Sequence, residues 1–326
     1  MHLFCNPILF AGYMKNQVSR NILATLCYYD CLNYPLTSFE IWKYLIHADY
    51  CNIGDGASPS ISLAEIVEQT EDEELKRAVD FDRGFYFLKG RSGLVDRRLR
   101  GNKTAILKTK KMRKFIWFLR FVPFVKMIGV TGRLAMKTAQ AQSDWDLLVV
   151  LRSGRIWMGR TFFTVVAHLM GKRRHGKKIK DRLCLNYFIT EKTLEITNKD
   201  LFAANEYFFM FPVFDSGNIF EKFQAENSWI KRFHPNYYLA RAENYMIIRD
   251  GWLSSRVRRI LEKMFNWNWL EEFLGEIEKK KIMNNPKTGE KGSLIEASGG
   301  ALVFLPQPQG PRIFEKFKKN LSKVDL

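Results

Sequence analysis

The chain has 326 residues, and because this exceeds the length of one average domain we expect two or three domains. Hydrophobic residues make up 46% of the sequence and aromatic residues 14%, which excludes a largely disordered protein. The formal net charge of +18 favours a polyanionic partner, but charge alone leaves nucleic acid, a nucleotide and an anionic membrane surface open.

Cysteine usage and hydropathy bear on the cellular compartment. The five cysteines are an odd number without a Cys-x-x-Cys pair, which favours buried, reduced thiols over a metal site and predicts a cytoplasmic location. The most apolar run, residues 115–130, is interrupted by Arg120, Pro123 and Lys126 and falls short of the ~20 apolar residues that span a bilayer. We therefore expect a soluble protein with no membrane partner.

Residues 1–104 show the pattern of a winged-helix-like module, in which helices precede a hairpin. Helices are predicted over 18–29 and after the capping-box pairs Thr37/Glu40 and Ser62/Glu65, with a loop over 52–60. A hairpin is predicted from strands at 84–88 and 94–95 joined by a turn at 89–93. Such a module either contacts nucleic acid through its basic residues or serves only for packing.

Residues 105–195 alternate between helical and strand patterns, which predicts a small mixed sheet with helices on its faces. The predicted helices are 112–122 and 156–170, and the predicted strands are 125–130, 147–151 and 183–189. Residues 196–326 are predicted to be mostly helical, with helices at 200–211 (ended by Pro212), 237–250, 253–281 and 313–323. The predicted fold class is therefore α+β.

One constellation points to phosphate chemistry. Asp144 and Asp146 are two residues apart at the start of a strand, so their carboxylates project from the same side, where they can share divalent cations such as Mg²⁺. Gly132 follows the preceding strand, and a glycine there lets the backbone approach a phosphate closely. An Asp-x-Asp pair alone is weak evidence, but its combination with this strand and turn is considerably more specific.

One stretch of the sequence resembles the signature of DNA polymerase beta-like nucleotidyltransferases. It consists of the run from Ile128 to Arg133, a ten-residue spacer and Asp144-Trp-Asp-Leu-Leu-Val-Val150. More narrowly, the chain resembles uncharacterised bacterial nucleotidyltransferase-domain proteins. The resemblance implies Mg²⁺-dependent transfer of a nucleoside monophosphate from a nucleoside triphosphate, such as ATP, to a hydroxyl. Asp144 and Asp146 match the catalytic, metal-binding carboxylates, and Gly132 matches the glycine of the phosphate-binding turn.

The sequence departs from that signature at two positions. Arg133 stands where Ser or Gly is usual, and it would either pair with the triphosphate or fill the pocket and block it. Asn186 stands where a third carboxylate is expected, and its amide could ligate a metal but could not act as a general base. Asp181 could replace it only in a different strand register. The alternative function is therefore a catalytically degenerate module that binds nucleic acid or regulates.

Further residues extend the predicted site. Residues 172–182 hold seven Lys or Arg, and a parallel strand pair would bring this basic loop close to Asp144, either as a binding loop for triphosphate or nucleic acid or as a solvated loop. Lys137 follows the Gly132 turn and is a candidate nucleotide-binding residue. The Asn205-Glu206 segment is predicted to close over the nucleotide or the acceptor. Tyr28, Tyr29 and Tyr34 are predicted to be core residues, and Trp267 and Trp269 core or partner contacts.

Overall fold

The computed structural model describes residues 16–48, 61–238 and 247–324. The helices are α1 Gln17–Cys31, α2 Ser38–Lys43, α3 Leu63–Thr70, α4 Glu73–Ala78, α5 Gly93–Leu119, α6 Gly132–Ala135, α7 Ile156–Leu169, α8 Leu201–Phe209, α9 Ile219–Glu226, α10 Trp252–Met264, α11 Asn268–Met283 and α12 Gly310–Val324. The strands are β1 Val79–Asp82, β2 Phe85–Leu88, β3 Val125–Val130, β4 Trp145–Leu151, β5 Leu183–Thr190, β6 Phe211–Asp215, β7 Leu294–Ala297 and β8 Ala301–Leu305. This is the α+β class that the sequence predicts.

A six-stranded mixed sheet forms the centre of the fold, with strand order β6-β3-β4-β5-β8-β7. Strands β4 and β5 are parallel, which is the condition under which the sequence places the basic loop near Asp144, while the other neighbouring strands are antiparallel. Three of the six strands come from beyond residue 195, so the C-terminal region completes the sheet as well as supplying helices. The sheet separates two hydrophobic cores, one containing α1, α8 and α12 and the other containing α5 and α7.

The N-terminal helices begin as predicted, but the hairpin does not lie where the sequence indicates. Capping boxes formed by Thr37 with Glu40 and by Ser62 with Glu65 begin α2 and α3. The hairpin pairs β1 with β2 around Arg83 and Gly84, whose φ angles are both positive, as a tight two-residue turn requires. The residues predicted as its second strand instead begin α5. The predicted loop at 52–60 lies outside the described residues.

A single helix, α5, covers most of the predicted helix at 112–122, to Leu119, and the nineteen residues before it. The predicted domain boundary between residues 104 and 105 lies inside this helix. Arg98 on α5 donates hydrogen bonds to Glu40 of α2 and to the Met136 carbonyl after α6, so α5 ties the N-terminal helices to the central sheet.

The C-terminal half differs from the predicted helices in several places. Pro212 lies within the edge strand β6, where a missing amide donor costs no ladder hydrogen bond, instead of ending a helix. The predicted helix at 253–281 is two helices, α10 and α11, and the described parts of 237–250 are not helical. Strands β7 and β8 are absent from the sequence prediction.

The aromatic residues that the sequence singles out form a buried group and an exposed pair. Tyr28, Tyr29 and Tyr34 are buried in the core that contains α1, as predicted. Trp267 and Trp269 stack on each other and are 48% and 62% exposed, so of the two predicted roles, core or partner contact, the partner contact stays a prediction. Within the described residues, no helix is both long enough and apolar enough to cross a bilayer.

Candidate functional site: a carboxylate cluster beside the Gly132 turn

The turn between β3 and α6 is built against the Asp146 carboxylate. Gly132 has a φ of +62°, and a Cβ at this position would lie 2.5 Å from Asp146 Oδ2. The Thr131 amide donates a 3.0 Å hydrogen bond to the Asp146 carbonyl, which holds the turn on β4. Only glycine combines this backbone conformation with the space that the carboxylate occupies.

Asp144 and Asp146 lie with Cys184 in one cluster. One ligand atom from each of these three residues lies within 4.8 Å of the others. Trp145, between the two aspartates, is fully buried on the opposite face of the sheet, and its amide donates to the Arg182 carbonyl at 2.8 Å. This anchor turns both carboxylates toward the face that α8 covers, because side chains alternate along a strand.

The two aspartates differ in their surroundings. Burial and the charge of Asp144 raise the pKa of Asp146 to about 6, against smaller opposing effects of Cys184, Arg174 and Arg133. Asp144 instead accepts a 2.6 Å hydrogen bond from Arg174 Nη1 in the basic loop. The basic loop therefore lies against the cluster, as the parallel pairing of β4 and β5 predicts.

A third carboxylate acts on the site electrostatically, and it comes from α8. Burial and the charge of Asp146 raise the pKa of Glu206 to about 7, against a smaller opposing effect of the Thr131 side chain. The neighbouring Asn205 is fixed by a 2.5 Å hydrogen bond from the Tyr29 hydroxyl. The sequence singles out Asn205-Glu206, but α8 must pack on the sheet before Glu206 can be recognised as the third acid.

Asn186 and Asp181 do not supply the third carboxylate. On β5, Cys184 pairs with Asp146, and Leu185 and Asn186 then form a bulge opposite a single residue of β4. Asp181 lies outside the cluster, because its two carboxylate oxygens accept 2.6 Å hydrogen bonds from Lys108 and Lys111 on α5. These hydrogen bonds lower the pKa of Asp181 despite its burial.

The remaining predicted nucleotide-binding residues lie at the rim of the turn. The side chain of Arg133 is exposed and its charge acts on Asp146, so it does not fill the space beside the carboxylates. Lys137 is exposed after the end of α6, with a φ of +58°. Both cations are accessible to a ligand at the turn.

The donor set favours a hard cation. Burial and the nearby aspartates raise the pKa of the Cys184 thiol to about 12, so it is neutral at physiological pH and a weak ligand. The carboxylate oxygens of Asp144 and Asp146 are ligands that Mg²⁺ prefers.

A separate cavity of about 340 Å³ lies toward the other end of β5. Its lining includes Tyr187, Ile189 and Glu296 but none of the three clustered carboxylates. Tyr187 connects the two places, because its ring meets the ring of Tyr207 edge to face, with centroids 6.2 Å apart, and Tyr207 follows Glu206 on α8.

Comparisons with protein-family models, with curated proteins and with solved structures found no match for this chain.

Proposed function

We propose that this protein is a metal-dependent nucleotidyltransferase, which moves a nucleoside monophosphate from a nucleoside triphosphate to a hydroxyl acceptor. The observation that carries the proposal is the cluster of Asp144, Asp146 and Cys184 beside the Gly132 turn, with Glu206 of α8 close enough for the charge of Asp146 to act on it. Two of these carboxyls have raised pKa values, because burial and neighbouring negative charge outweigh the nearby cations. Such a cluster is at its most stable when a divalent cation neutralises it.

The residues present fit Mg²⁺. The oxygens of Asp146 are available, and Asp144 would exchange its partly exposed partner Arg174 for the ion. Bound Mg²⁺ would supply positive charge that stabilises the phosphates and the attacking oxygen of the acceptor hydroxyl. Released from Asp144, the Arg174 guanidinium would be free to pair with the triphosphate, alongside Arg133 at the turn.

The residues of this chain would bind and orient the reactants. The turn at Gly132 brings backbone close to the phosphates, and Arg133, Arg174 and Lys137 offset their charge. The acceptor oxygen forms a bond to the α-phosphorus, the bond from that phosphorus to the leaving oxygen breaks, and pyrophosphate departs. Glu206, with a pKa of about 7, is suited to take the proton of the acceptor hydroxyl at neutral pH.

The test is calorimetry with ATP, GTP, CTP and UTP, each with and without Mg²⁺. We expect Mg²⁺-dependent binding that disappears in the Asp144→Ala/Asp146→Ala variant. Asp80 and Asp82 form a second Asp-x-Asp pair on β1, so Asp80→Ala/Asp82→Ala is a matched control that should bind as the native protein does. The proposal fails if the native protein binds none of the four nucleotides, or if both double variants lose binding equally.

A second candidate function is a non-catalytic module that binds nucleic acid or regulates, and the ion pair between Arg174 and Asp144 favours it. In that case Arg174 permanently replaces the cation at the cluster. An Arg174→Ala variant separates the two candidates. It should weaken nucleotide binding in a transferase, whereas in a non-catalytic module it would create Mg²⁺ binding that the native protein lacks.

A further inference from the structure

The positive charge of the chain is concentrated in two segments. Helix α5 holds nine Lys or Arg and one acidic residue, and the basic loop 172–182 holds seven and one. These 38 residues therefore account for fourteen of the eighteen excess positive charges. The remaining surface is close to balanced, so the net charge of the chain reflects a local feature.

The cations of α5 form a line. Arg97, Arg100, Lys111 and Lys114 are exposed, and their spacing of three and four residues, or its multiples, puts them on one side of the helix. Phe118 continues the line and is 55% exposed. At 1.5 Å per residue, the 27 residues of this helix extend over roughly 40 Å.

Contacts join this line to the basic loop and the loop to the candidate site. Asp181, at the end of the loop, binds Lys108 and Lys111 of α5, and Lys108 also donates to the carbonyl of Ser143 at 2.9 Å. Ser143 precedes Asp144, which is held by Arg174 of the loop. The line of cations on α5, the basic loop and the carboxylate cluster are therefore one connected surface.

Within the described residues, most exposed cations of this surface lack an acidic partner, apart from Lys111 with Asp181 and Arg174 with Asp144. Asp181 is the single acid of the loop, and α5 already neutralises it. Within the described residues, six loop cations form no ion pair: Lys172, Arg173, Lys177, Lys178, Lys180 and Arg182. Partial burial and the charges of Lys111 and Arg182 lower the pKa of Lys172, which is the effect of crowded like charges that an anion would relieve.

We propose that α5 and the basic loop bind a nucleic-acid strand and deliver one of its hydroxyl groups to the carboxylate cluster as the acceptor. This inference rests on the proposed transferase function. A line of exposed cations that spans about 26 Å from Arg97 to Lys114 and continues into the basic loop matches a phosphate backbone, and an exposed aromatic on that line offers a surface for base stacking. The strand hydroxyl then forms the new bond to the α-phosphorus, pyrophosphate leaves, and the proton passes to Glu206.

The test is fluorescence anisotropy with end-labelled 20-nucleotide RNA and DNA strands at several salt concentrations. The variant Lys177→Ala/Lys178→Ala/Lys180→Ala removes three charges from the loop, and Lys279→Ala/Lys280→Ala/Lys281→Ala removes three from α11 as a matched control. We expect at least tenfold weaker binding for the loop variant and a change of less than twofold for the control. In a plot of log K against log salt concentration, the slope for the loop variant should be shallower by about 2, because each of the three lost phosphate contacts contributes roughly 0.7.

Several outcomes would overturn the proposal. Equal weakening of both triple variants would mean that net charge alone attracts the strand. Stronger binding of anionic phospholipid vesicles than of either oligonucleotide, lost in the loop variant, would assign the surface to membranes.

Calorimetry with nucleoside triphosphate keeps this proposal separate from the transferase function. The loop variant should bind Mg²⁺ and nucleotide within twofold of the native protein. If nucleotide binding persists while no oligonucleotide binds, the acceptor proposal alone is wrong. If oligonucleotides bind the loop but no nucleotide binds at the cluster, the transferase function fails, and with it the acceptor role.

Discussion

Among the described residues, two strands carry or directly follow an Asp-x-Asp pair, β1 and β4, and one of these pairs belongs to a candidate site. On β1, Asp80 accepts a hydrogen bond from the Gly90 amide, Asp82 pairs with Arg83, and the intervening Phe81 is 61% exposed. On β4, the intervening Trp145 is fully buried, and its two aspartates lie beside Cys184. The same spacing therefore gives a solvated hairpin in one place and a carboxylate cluster in the other.

The difference lies in what covers each pair. Strand β1 belongs to a two-stranded hairpin, whereas β4 is central in the six-stranded sheet and α8 lies over its carboxylate face. Covering the pair removes water from Asp146, which raises its pKa, and brings Glu206 near enough for the charge of Asp146 to raise the pKa of Glu206. In the proposed site, spacing would supply the ligands, and burial beside further acids would supply the affinity for a cation.

Single substitutions should separate the two pairs most strongly. Asp146→Asn is expected to weaken Mg²⁺-dependent nucleotide binding at least a hundredfold, because it removes the buried charge that faces the ion. The matched Asp82→Asn change should leave binding within twofold. Calorimetry of both variants measures the two affinities. A similar loss in both would mean that the surroundings of an Asp-x-Asp pair do not decide whether it contributes to nucleotide binding.

The pH dependence of metal-free stability should show a smaller effect. Because the pKa values of Asp146 and Glu206 are raised to about 6 and 7, their contribution to stability is full below pH 4 and is lost as pH rises through those values. We expect the free energy of unfolding to fall between pH 4 and 8 by on the order of 2–3 kcal/mol for each carboxyl, relative to Asp146→Asn/Glu206→Gln.

Urea denaturation in the presence of a chelator measures this difference. Comparison with the double variant also cancels His234, whose pKa burial lowers to about 4 and whose contribution has the opposite sign. Parallel pH profiles for the native protein and the variant would contradict the assigned electrostatics.

The glycine in the turn beside each Asp-x-Asp pair provides a third test. Gly84 and Gly132 both have positive φ, but a Cβ at Gly84 meets no atom within 4 Å, whereas one at Gly132 meets the Asp146 carboxylate. Gly84→Ala should cost about 1 kcal/mol from backbone strain alone, and Gly132→Ala should cost about 2 kcal/mol with weaker Mg²⁺ binding. Equal losses of stability and unchanged metal affinity would show that the turn does not contact the cluster.

Cys184→Ser should have the smallest effect. Since the thiol has a pKa of about 12 and stays neutral, we expect Mg²⁺-dependent nucleotide affinity to change by less than threefold. A loss comparable with that of Asp146→Asn would make the thiol a ligand, and would favour a softer metal than Mg²⁺ at this site.

The sequence predicts the parts of the site that are close in the chain. The β3 strand, the turn at Gly132, the β4 aspartates and the approach of the basic loop all follow from hydrophobic runs, one glycine and the handedness of a crossover. Glu206 lies sixty residues from Asp146, and only the packing of α8 on the sheet brings them together. The bulge at Asn186 likewise depends on pairing with a neighbouring strand.

The errors in the fold have similar causes. The sequence predicts the hairpin turn at the glycines 90 and 93, because the local pattern does not distinguish these glycines from the turn at Arg83-Gly84. Strands β7 and β8 are four and five residues long, and their short apolar runs acquire strand geometry by extending an existing sheet edge. Pro212 indicates a helix end in isolation, yet an edge strand tolerates it.

The central claim is that the β4 carboxylates hold a divalent cation and the β1 carboxylates do not. Binding of Mn²⁺, followed through the electron paramagnetic resonance signal of the free ion in the presence of a nucleoside triphosphate, tests it directly. We predict that the native protein and Asp80→Ala/Asp82→Ala deplete free Mn²⁺ equally and beyond what the nucleotide alone binds, whereas Asp144→Ala/Asp146→Ala does not. Equal depletion by all three proteins, or none by the native protein, would contradict the account.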